Sequence, residues 1–486
     1  MMTMPEPHYT FDFEGLSDHL QNSHLQITDH LEGRTATIRV SVDDTDFLHL
    51  RGLQVDGHIA DLIDLAVAIS EADRWSQRDP EFPCVIRVRL PVRHLERFNQ
   101  PGLHEHLRTM LYWFTGDYWI FEFTALSQQR RFAELQRPLW KSSNADVHAE
   151  VALWSGGLDA LAGLCNRIHQ GIADRFLLFG AGGNSSIRGV QQRVFQLLKK
   201  RLGGDLHLMQ LHIYQRDTKK TGLRPDKKLR ARGVVFMLLG SAYARLEGQH
   251  ALALYENGTG AINLPFRASE VGLDHARSVH PLSLHGVSKL VSFVLEEQFV
   301  VHNPFIWWTK AEMCHVLEKL GVTDIAWQTV SCDRQHRKDT PQCGRCSSCL
   351  LRRESFLASG IPDKTRYLIH TESGNALHAL LRKSQLPHMM YQSKTMYAAL
   401  QNGHAWDVFA RQHPSRLADM VDRLSQEVGE NRENIIEEVV SLFQRYADEW
   451  MQPSVRAVFD REIEDIKRVP KRTKQPNAVS HEGMQK

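Results

Sequence analysis

The sequence has little of what would tie it to a membrane, to a secretory route or to nucleic acid. No apolar run approaches the roughly 18 residues of a membrane-spanning helix. The first residues, MMTMPEPHYTFDFEG, lack the charged-then-apolar order of a secretory signal. Lys and Arg outnumber Asp and Glu only 59 to 57, so no broad basic field grips phosphate backbones. Cysteine is scarce, seven in 486 residues. An odd number of thiols, with four close together in the second half, points to metal or catalysis before disulfides. Neither G-x-x-x-x-G-K-[ST] nor G-x-G-x-x-G occurs at a strand-to-helix step. No serine–histidine or cysteine–histidine pairing calls for covalent catalysis. Internal repeats are absent. These absences lead to the expectation of a cytoplasmic protein, with neither a membrane nor nucleic acid among its partners.

The hydrophobic fraction of 42% is ordinary for a globular protein, and the length suits two or three domains. Residues 1–147 read as an N-terminal α+β domain. TATIRVSVDD and CVIRVRLPVR alternate in the manner of strands, YWIFEFTAL is a third strand, and HIADLIDLAVAISEADRWS has helical spacing. Cys84 reads as a small buried hydrophobe. From 148 to 370 strands and helices alternate: AEVALW, RFLLFGAG, LHLMQLHIY and HALALYENGTG are strands, and amphipathic helices separate them. Such alternation predicts an α/β fold with a doubly wound parallel sheet, whose ligands bind beyond the carboxyl ends of the strands. Residues 371–468 read as a helical C-terminal region, and 469–486 as a disordered basic tail.

The first strand of the predicted parallel sheet runs into ALWSGGLDALAGL. Ser155, Gly156 and Gly157 fall where the strand hands over to a helix. Backbone N–H groups at a helix start lack intrahelical partners, and the dipole favours an anion there. Glycines let phosphate oxygens approach the backbone, and Ser155 offers a hydroxyl. By itself this pattern also fits a tight turn in any α/β domain. Further on, SCDRQHRKDTPQCGRCSSC groups Cys332, Cys343, Cys346 and Cys349. Two overlapping C-x-x-C steps with a fourth cysteine suit a closed tetrahedral Zn²⁺ site of structural type, with Gly344 in the turn. An Fe–S cluster and a redox-active pair are the alternatives. Glu256, Asn257, Gly258 and Gly260 lie at a predicted strand end, where they line a substrate pocket or form a strand-to-loop turn. His280, Cys165 and Cys314 read as structural, while Trp307 and Trp308 stack on a base or pack.

SGGLD resembles SGG-x-D-[ST], the pyrophosphate loop of the PP-loop ATP pyrophosphatases. CGRCSSCLLRRESFLASGIPDKTRY resembles the C-terminal signature of the 7-cyano-7-deazaguanine synthases (QueC). Arg352, Phe356, Gly360, Pro362, Asp363, Thr365, Arg366 and Tyr367 fall in that register, with Ser355 and Lys364 as departures. The resemblance covers roughly 150–367. It implies an adenine-nucleotide α-hydrolase fold that uses ATP and Mg²⁺. Ser155, Gly156, Gly157, Leu158 and Asp159, with Gly258, then lie around the nucleotide. Similar family segments make Arg232 and Lys310 charge-balancing candidates beside Ser155 and Asp159, with Thr309 capping the Lys310 helix. Ala160 stands where the family has a hydroxyl, which removes one phosphate hydrogen bond worth ~0.5–1.5 kcal/mol.

The implied reaction is adenylation of a small-molecule carboxylate of deazaguanine type. Pyrophosphate leaves, and an amine donor then forms an amide or nitrile. The flanking regions resemble those of enlarged QueC-like proteins of bacterial antiphage systems of Qat or CBASS type. In that setting the amine could belong to a protein partner, which would make the chain a modifying ligase. A non-catalytic nucleotide-binding subunit and a tRNA sulfurtransferase are the other readings. The latter lacks its reactive cysteine pair and basic RNA-binding domain here.

Overall fold

The computed structural model describes residues 6–13, 22–42, 55–79, 81–126, 134, 148–181, 185–218, 222–226, 229–266, 277–333, 341–401, 405–412 and 417–470. The expected disordered tail beyond 470, and most of the loop between Cys332 and Cys343, lie outside the described residues. The described strands are β1 (Tyr9–Asp12), β2 (Asn22–Asp29), β3 (Arg34–Val42), β4 (Val85–Val92), β5 (Tyr118–Ala125), β6 (Ala149–Leu153), β7 (Arg175–Ala181), β8 (Asp205–Leu211), β9 (Ile213–Arg216), β10 (Ala251–Ala253) and β11 (Val300–His302). They form two sheets, in the orders β5-β4-β1-β2-β3-β9 and β11-β10-β6-β7-β8.

The second sheet is parallel throughout its described pairings. Its strands read as short apolar runs because helices cover both faces. The strand order reverses between β6 and β10, so a crevice opens beyond their carboxyl ends. The fold is thus the mixed α/β architecture expected from the alternation, with a four-cysteine cluster and a helical C-terminal region.

One strand departs from expectation. LHLMQLHIY breaks at His212, and β9 leaves the parallel sheet to pair antiparallel with β3, Val42 opposite Ile213 and Arg39 opposite Arg216. It covers an edge of the first sheet that would otherwise present unpaired backbone. The helix Gly57–Trp75 joins the two sheets. Asp56 caps it, its carboxylate accepting the Ile59 N–H at 2.9 Å. The helix is buried almost all round, and its buried acidic residues are paired, Asp61 and Asp64 with Arg93 and Asp73 with Arg78. It packs against the equally buried helix Arg232–Leu246, and one apolar core runs continuously from Phe11 and Ile63 to Leu238 and Leu252.

A buried ion network closes this junction. Arg78 reaches Asp73 at 2.6 Å, Asp117 at 2.7 Å and Asp226 at 3.2 Å. Asp73 also accepts the Ala231 N–H at 3.0 Å, at the start of the second buried helix. At the other end of the chain, the helices Leu386–Gln401, Arg432–Met451 and Pro453–Arg468 gather around Trp450 and Phe459. They bury Leu350 of the helix Ser347–Ala358 in the same cluster.

Removing one member of a buried charged network strands the others, at a cost of ~3–5 kcal/mol. Asp73→Ala is therefore expected to lower unfolding stability by about that amount in urea titrations. A loss under ~1 kcal/mol, the scale of a surface pair, would show that the network does not hold the two sheets together.

Candidate active site

β6 ends at Leu153, and the chain turns through Ser155–Gly157 into the helix Leu158–His169. Trp154 anchors the turn, its indole N–H donating to the Gln191 carbonyl at 3.0 Å. Gly156 has φ +72°, and a Cβ on it would stand 3.0 Å from Gln191 Cα. Glycine is thus required here both by dihedral and by space. The exposed Ser155 hydroxyl accepts the Gly157 N–H at 3.1 Å. Gly157 is the N-cap and brings no side chain, so the first N–H groups of the helix stay open to a ligand. Ala160 faces inward and is buried among Trp154, Leu161 and Leu164.

Asp159, in the first turn of this helix, meets Lys310. The Lys310 ammonium lies 2.7 Å from Asp159 Oδ2, and the residue is 6% exposed. Thr309 and Glu312 form a capping box that fixes where Lys310 starts its helix. From the end of β10, the Asn257 amide donates to Asp159 Oδ1 and to Glu256 Oε1, each at 2.8 Å. Asn257 Oδ1 in turn accepts the Gly260 N–H at 2.8 Å and the Thr259 hydroxyl at 2.6 Å. The two strands flanking the reversal point, together with the segment after β11, thus converge on one cluster.

Burial, reinforced by the neighbouring Asp159 carboxylate, pushes Glu256 up to about 8, against the pull of Lys310. Glu256 therefore holds a proton at neutral pH and hydrogen-bonds Asp159. Burial alone would lower Lys310, but Asp159 and then Glu256 reverse the effect, and the amine stays cationic above its ordinary range. The cluster presents one ammonium, one carboxylate and one neutral acid to the crevice.

Other candidates fall elsewhere. A Cβ on Gly258 would lie 1.9 Å from the Ile306 carbonyl oxygen, and its N–H bonds the Trp308 carbonyl at 2.8 Å. The glycine serves backbone packing there. Arg232 opens its own helix, and its guanidinium lies over Phe236, 5.0 Å from the ring centre, rather than joining Asp159 and Lys310. His280 is buried and caps the helix Pro281–Leu295. Trp308 packs edge-on against Phe305, and Trp307 lies against the C-terminal helices. Cys84, Cys165 and Cys314 are buried in the apolar cores. Sequence alone does not tie Asn257 to Asp159. Its one signal is a pair of polar residues at a strand end, beside two glycines.

The sulfurs of Cys332, Cys343, Cys346 and Cys349 all lie within 4.8 Å of one another, and Cys343 Sγ is 3.9 Å from Cys349 Sγ. A tetrahedral ion with bonds of ~2.3 Å spaces its sulfurs ~3.8 Å apart, so the four residues fit Zn²⁺. Gly344 takes φ +76° in the knuckle. The buried Arg352, on the helix that follows, donates to Thr329 Oγ1 at 2.7 Å, the Ala326 carbonyl at 2.6 Å and Thr365 Oγ1 at 2.9 Å. These bonds brace 326–331, and the Val330 carbonyl from that stretch lies 3.4 Å from where a Gly157 side chain would begin. The metal knuckle and the glycine turn are therefore packed together.

A family model described as "Queuosine biosynthesis protein QueC" matches residues 188–360. The chain is 30% identical over 229 residues to a 7-cyano-7-deazaguanine synthase of Thiobacillus denitrificans, covering 97% of that protein and 45% of this chain. It is 26% identical over 233 residues to the synthase of Legionella pneumophila and 28% over 229 residues to that of Cupriavidus pinatubonensis. Each of these matches covers 96% of the relative and 45% of this chain.

Zinc removal should act on the turn through Val330. Chelation is expected to release about one equivalent of Zn²⁺ and raise proteolysis around 326–349, with both effects reversed by added Zn²⁺; intact protection in metal-free protein would contradict it. Glu256 gives a pH test. Its folded value of about 8 lies above its ordinary 4.5, so its contribution is full below 4.5 and is lost as pH rises through about 8. Glu256→Gln should therefore flatten the fall of Tm between about pH 4.5 and 8, and parallel curves would count against a protonated Glu256.

Proposed function

Because the chain belongs to the family of 7-cyano-7-deazaguanine synthases (QueC), we propose that it is an ATP-dependent adenylating enzyme acting on a deazaguanine-type carboxylate. The observation that carries this reading is the meeting of Asp159, Lys310, Glu256 and Asn257 beside the open helix start after β6. The β- and γ-phosphates of ATP lie against the N–H groups of Ser155–Leu158. A carboxylate oxygen attacks the α-phosphorus, the bond to the bridging oxygen breaks, and pyrophosphate leaves. An amine then attacks the acyl-adenylate carbonyl, AMP departs, and the amine loses a proton. No side chain forms a covalent bond in this scheme. The chain's task is to position the reactants and balance charge.

Lys310 supplies a fixed positive charge that a phosphate cannot displace into water, since it is almost fully buried. The Asp159 carboxylate is a hard oxygen donor that suits Mg²⁺, which would neutralise phosphate charge when bound. The four-cysteine site takes Zn²⁺ in a supporting role. Arg232 is a more distant source of charge. The thiol ligands suit the reducing cytoplasm, and among the described residues no helix is long and apolar enough to cross a membrane. The large regions outside the matched segment support a place among the enlarged members that serve in bacterial antiphage defence. There the amine would come from ammonia or from a protein partner.

The reading is tested by exchange of labelled pyrophosphate into ATP that depends on 7-carboxy-7-deazaguanine. Wild-type protein should catalyse it, and Lys310→Ala and Asp159→Asn should each reduce it at least ~100-fold, a loss of ~2.7 kcal/mol in transition-state stabilisation. ATP binding without exchange would favour the nucleotide-binding subunit, and release of ADP and phosphate would contradict adenylation.

A further inference from the structure

Two buried carboxyl groups near Lys310 have no part in the scheme above. Glu354, on the helix Ser347–Ala358, is 1% exposed, and Glu449, on the helix Arg432–Met451, is 7% exposed. The charge of Lys310 acts on the first of them. Glu449 lies far beyond residue 360, where the matched segment ends. We propose that Glu449 is a positioning residue for Lys310: it holds the start of the Lys310 helix through Thr309, and it keeps that hold by sharing a proton with Glu354. The assignment rests on the reading that Lys310 balances the charge of ATP, and it adds to that site a group from outside the matched segment.

Thr309 is fully buried and caps the helix that Lys310 begins. Its hydroxyl oxygen accepts the Glu312 N–H at 3.1 Å, and the Glu312 carboxylate accepts the Thr309 N–H at 2.7 Å. The hydroxyl proton is left over from this capping box, and it goes to Glu449 Oε1. With both partners fixed, the hydroxyl has one orientation, and the first turn of the helix is held in one place. From that turn the Lys310 ammonium reaches Asp159 at 2.7 Å. Without Glu449 the buried Thr309 donor would lack its partner, which is costly. The same C-terminal helix adds Arg445, which pairs with Glu312 at 2.8 Å and donates to the Trp307 carbonyl. It also supplies Tyr446, which lines a cavity of about 470 Å³ together with Lys310.

The proton follows from what surrounds the two acids. Among the described residues no N–H or hydroxyl group donates to Glu354 Oε1 or Glu449 Oε2, and both atoms are shut off from solvent. The two carboxyl groups are within hydrogen-bond reach of each other. Two ionised carboxylates so placed repel, whereas a proton between them satisfies both. Burial, with Glu449 as neighbour, raises Glu354 well above the ordinary carboxyl range, against the pull of Lys310. Burial raises Glu449 to about 8, with Glu312 acting in the same direction and Thr309 and Arg445 against it. Tyr446, on the same helix, is kept neutral by burial. Arg353, next to Glu354, pairs with Glu462 of the helix Pro453–Arg468 at 2.6 Å. The adjoining helices Gly258–Ile262 and Leu386–Gln401 bury no ionisable residue. The pair therefore holds a proton at neutral pH. Glu449 lies above its ordinary 4.5, so its contribution to stability is full below 4.5 and has gone once pH has risen through about 8.

The experiment is calorimetric binding of ATP to the full chain between pH 7 and 9.5, wild type against Glu449→Ala and Glu449→Gln, with Tm measured at each pH. At pH 7 Glu449→Ala should bind ATP about tenfold more weakly than wild type, since Lys310 is displaced. Glu449→Gln, whose amide accepts from Thr309 and donates to Glu354, should restore the affinity to within about threefold. Across the pH range wild type should lose about threefold more affinity than Glu449→Gln, because the amide does not ionise. Glu256 is present in both proteins and cancels in that ratio. A purely structural Glu449 would lower Tm and leave the ATP affinity of the folded protein unchanged. Equal affinities of wild type and Glu449→Ala would overturn the proposal, as would parallel pH profiles of wild type and Glu449→Gln; the second comparison stands even where Glu449→Ala does not fold. Wild-type protein that ignores ATP would sink the ATP reading and the proposal together. Wild-type protein that binds ATP but catalyses no pyrophosphate exchange would sink the adenylation reading and leave the role of Glu449 standing.

Discussion

The Lys310–Asp159 ion pair, at 2.7 Å and nearly out of water, is the contact on which the site is organised. A buried ammonium is tolerated only where opposite charge and hydrogen bonds compensate its lost hydration. Asp159 supplies the charge from the first turn of the helix after β6, where the helix dipole also favours a carboxylate. Asn257 holds the second oxygen of that carboxylate, and Glu256 remains neutral beside it. Three segments far apart in the chain, around Asp159, Asn257 and Lys310, are thereby locked at the mouth of the parallel sheet. Their electrostatic arrangement is set by the fold itself, before any ligand arrives.

The rest of the molecule braces that contact from two sides. On one side, Arg352 ties the cysteine knuckle to 326–331, whose Val330 carbonyl lies against Gly157. On the other, Thr309 and Glu312 bond to the helix Arg432–Met451, so the residue before Lys310 is held by the C-terminal region. The N-terminal sheet reaches the same sheet mouth less directly, through the buried helices Gly57–Trp75 and Arg232–Leu246 and through β9. The regions flanking the matched segment are therefore integrated into its core, and the cavity beside Lys310 takes residues from the matched segment and from the C-terminal helices.

Much of this is legible in the sequence. The strand–helix alternation from residue 148 identifies the parallel sheet, and SGGLD and the four cysteines mark the glycine turn and the cluster that fits a metal ion. Those signals are local, because the turn's glycines are adjacent and all four cysteines fall within residues 332–349. What stays hidden depends on distance in the chain. LHLMQLHIY reads as one strand by alternation, and only the unpaired edge of β3 divides it at His212. Asn257 reads as a turn residue until the fold sets it against Asp159. Gly258 and Gly156 look alike in sequence, yet Gly156 shapes the open turn while Gly258 makes room for the Ile306 carbonyl. Glu449 and Tyr446 carry no motif at all, and only the packing of the last helices brings them to Thr309 and to the cavity beside Lys310.

The central claim is that a carboxylate oxygen attacks the α-phosphorus of an ATP held at the Ser155–Asp159 turn. The most direct measurement follows that oxygen. With the carboxyl group of 7-carboxy-7-deazaguanine labelled with ¹⁸O, the account predicts that one labelled oxygen appears in the AMP released and none in pyrophosphate. Unlabelled AMP formed alongside product, or label recovered in inorganic phosphate, would contradict it.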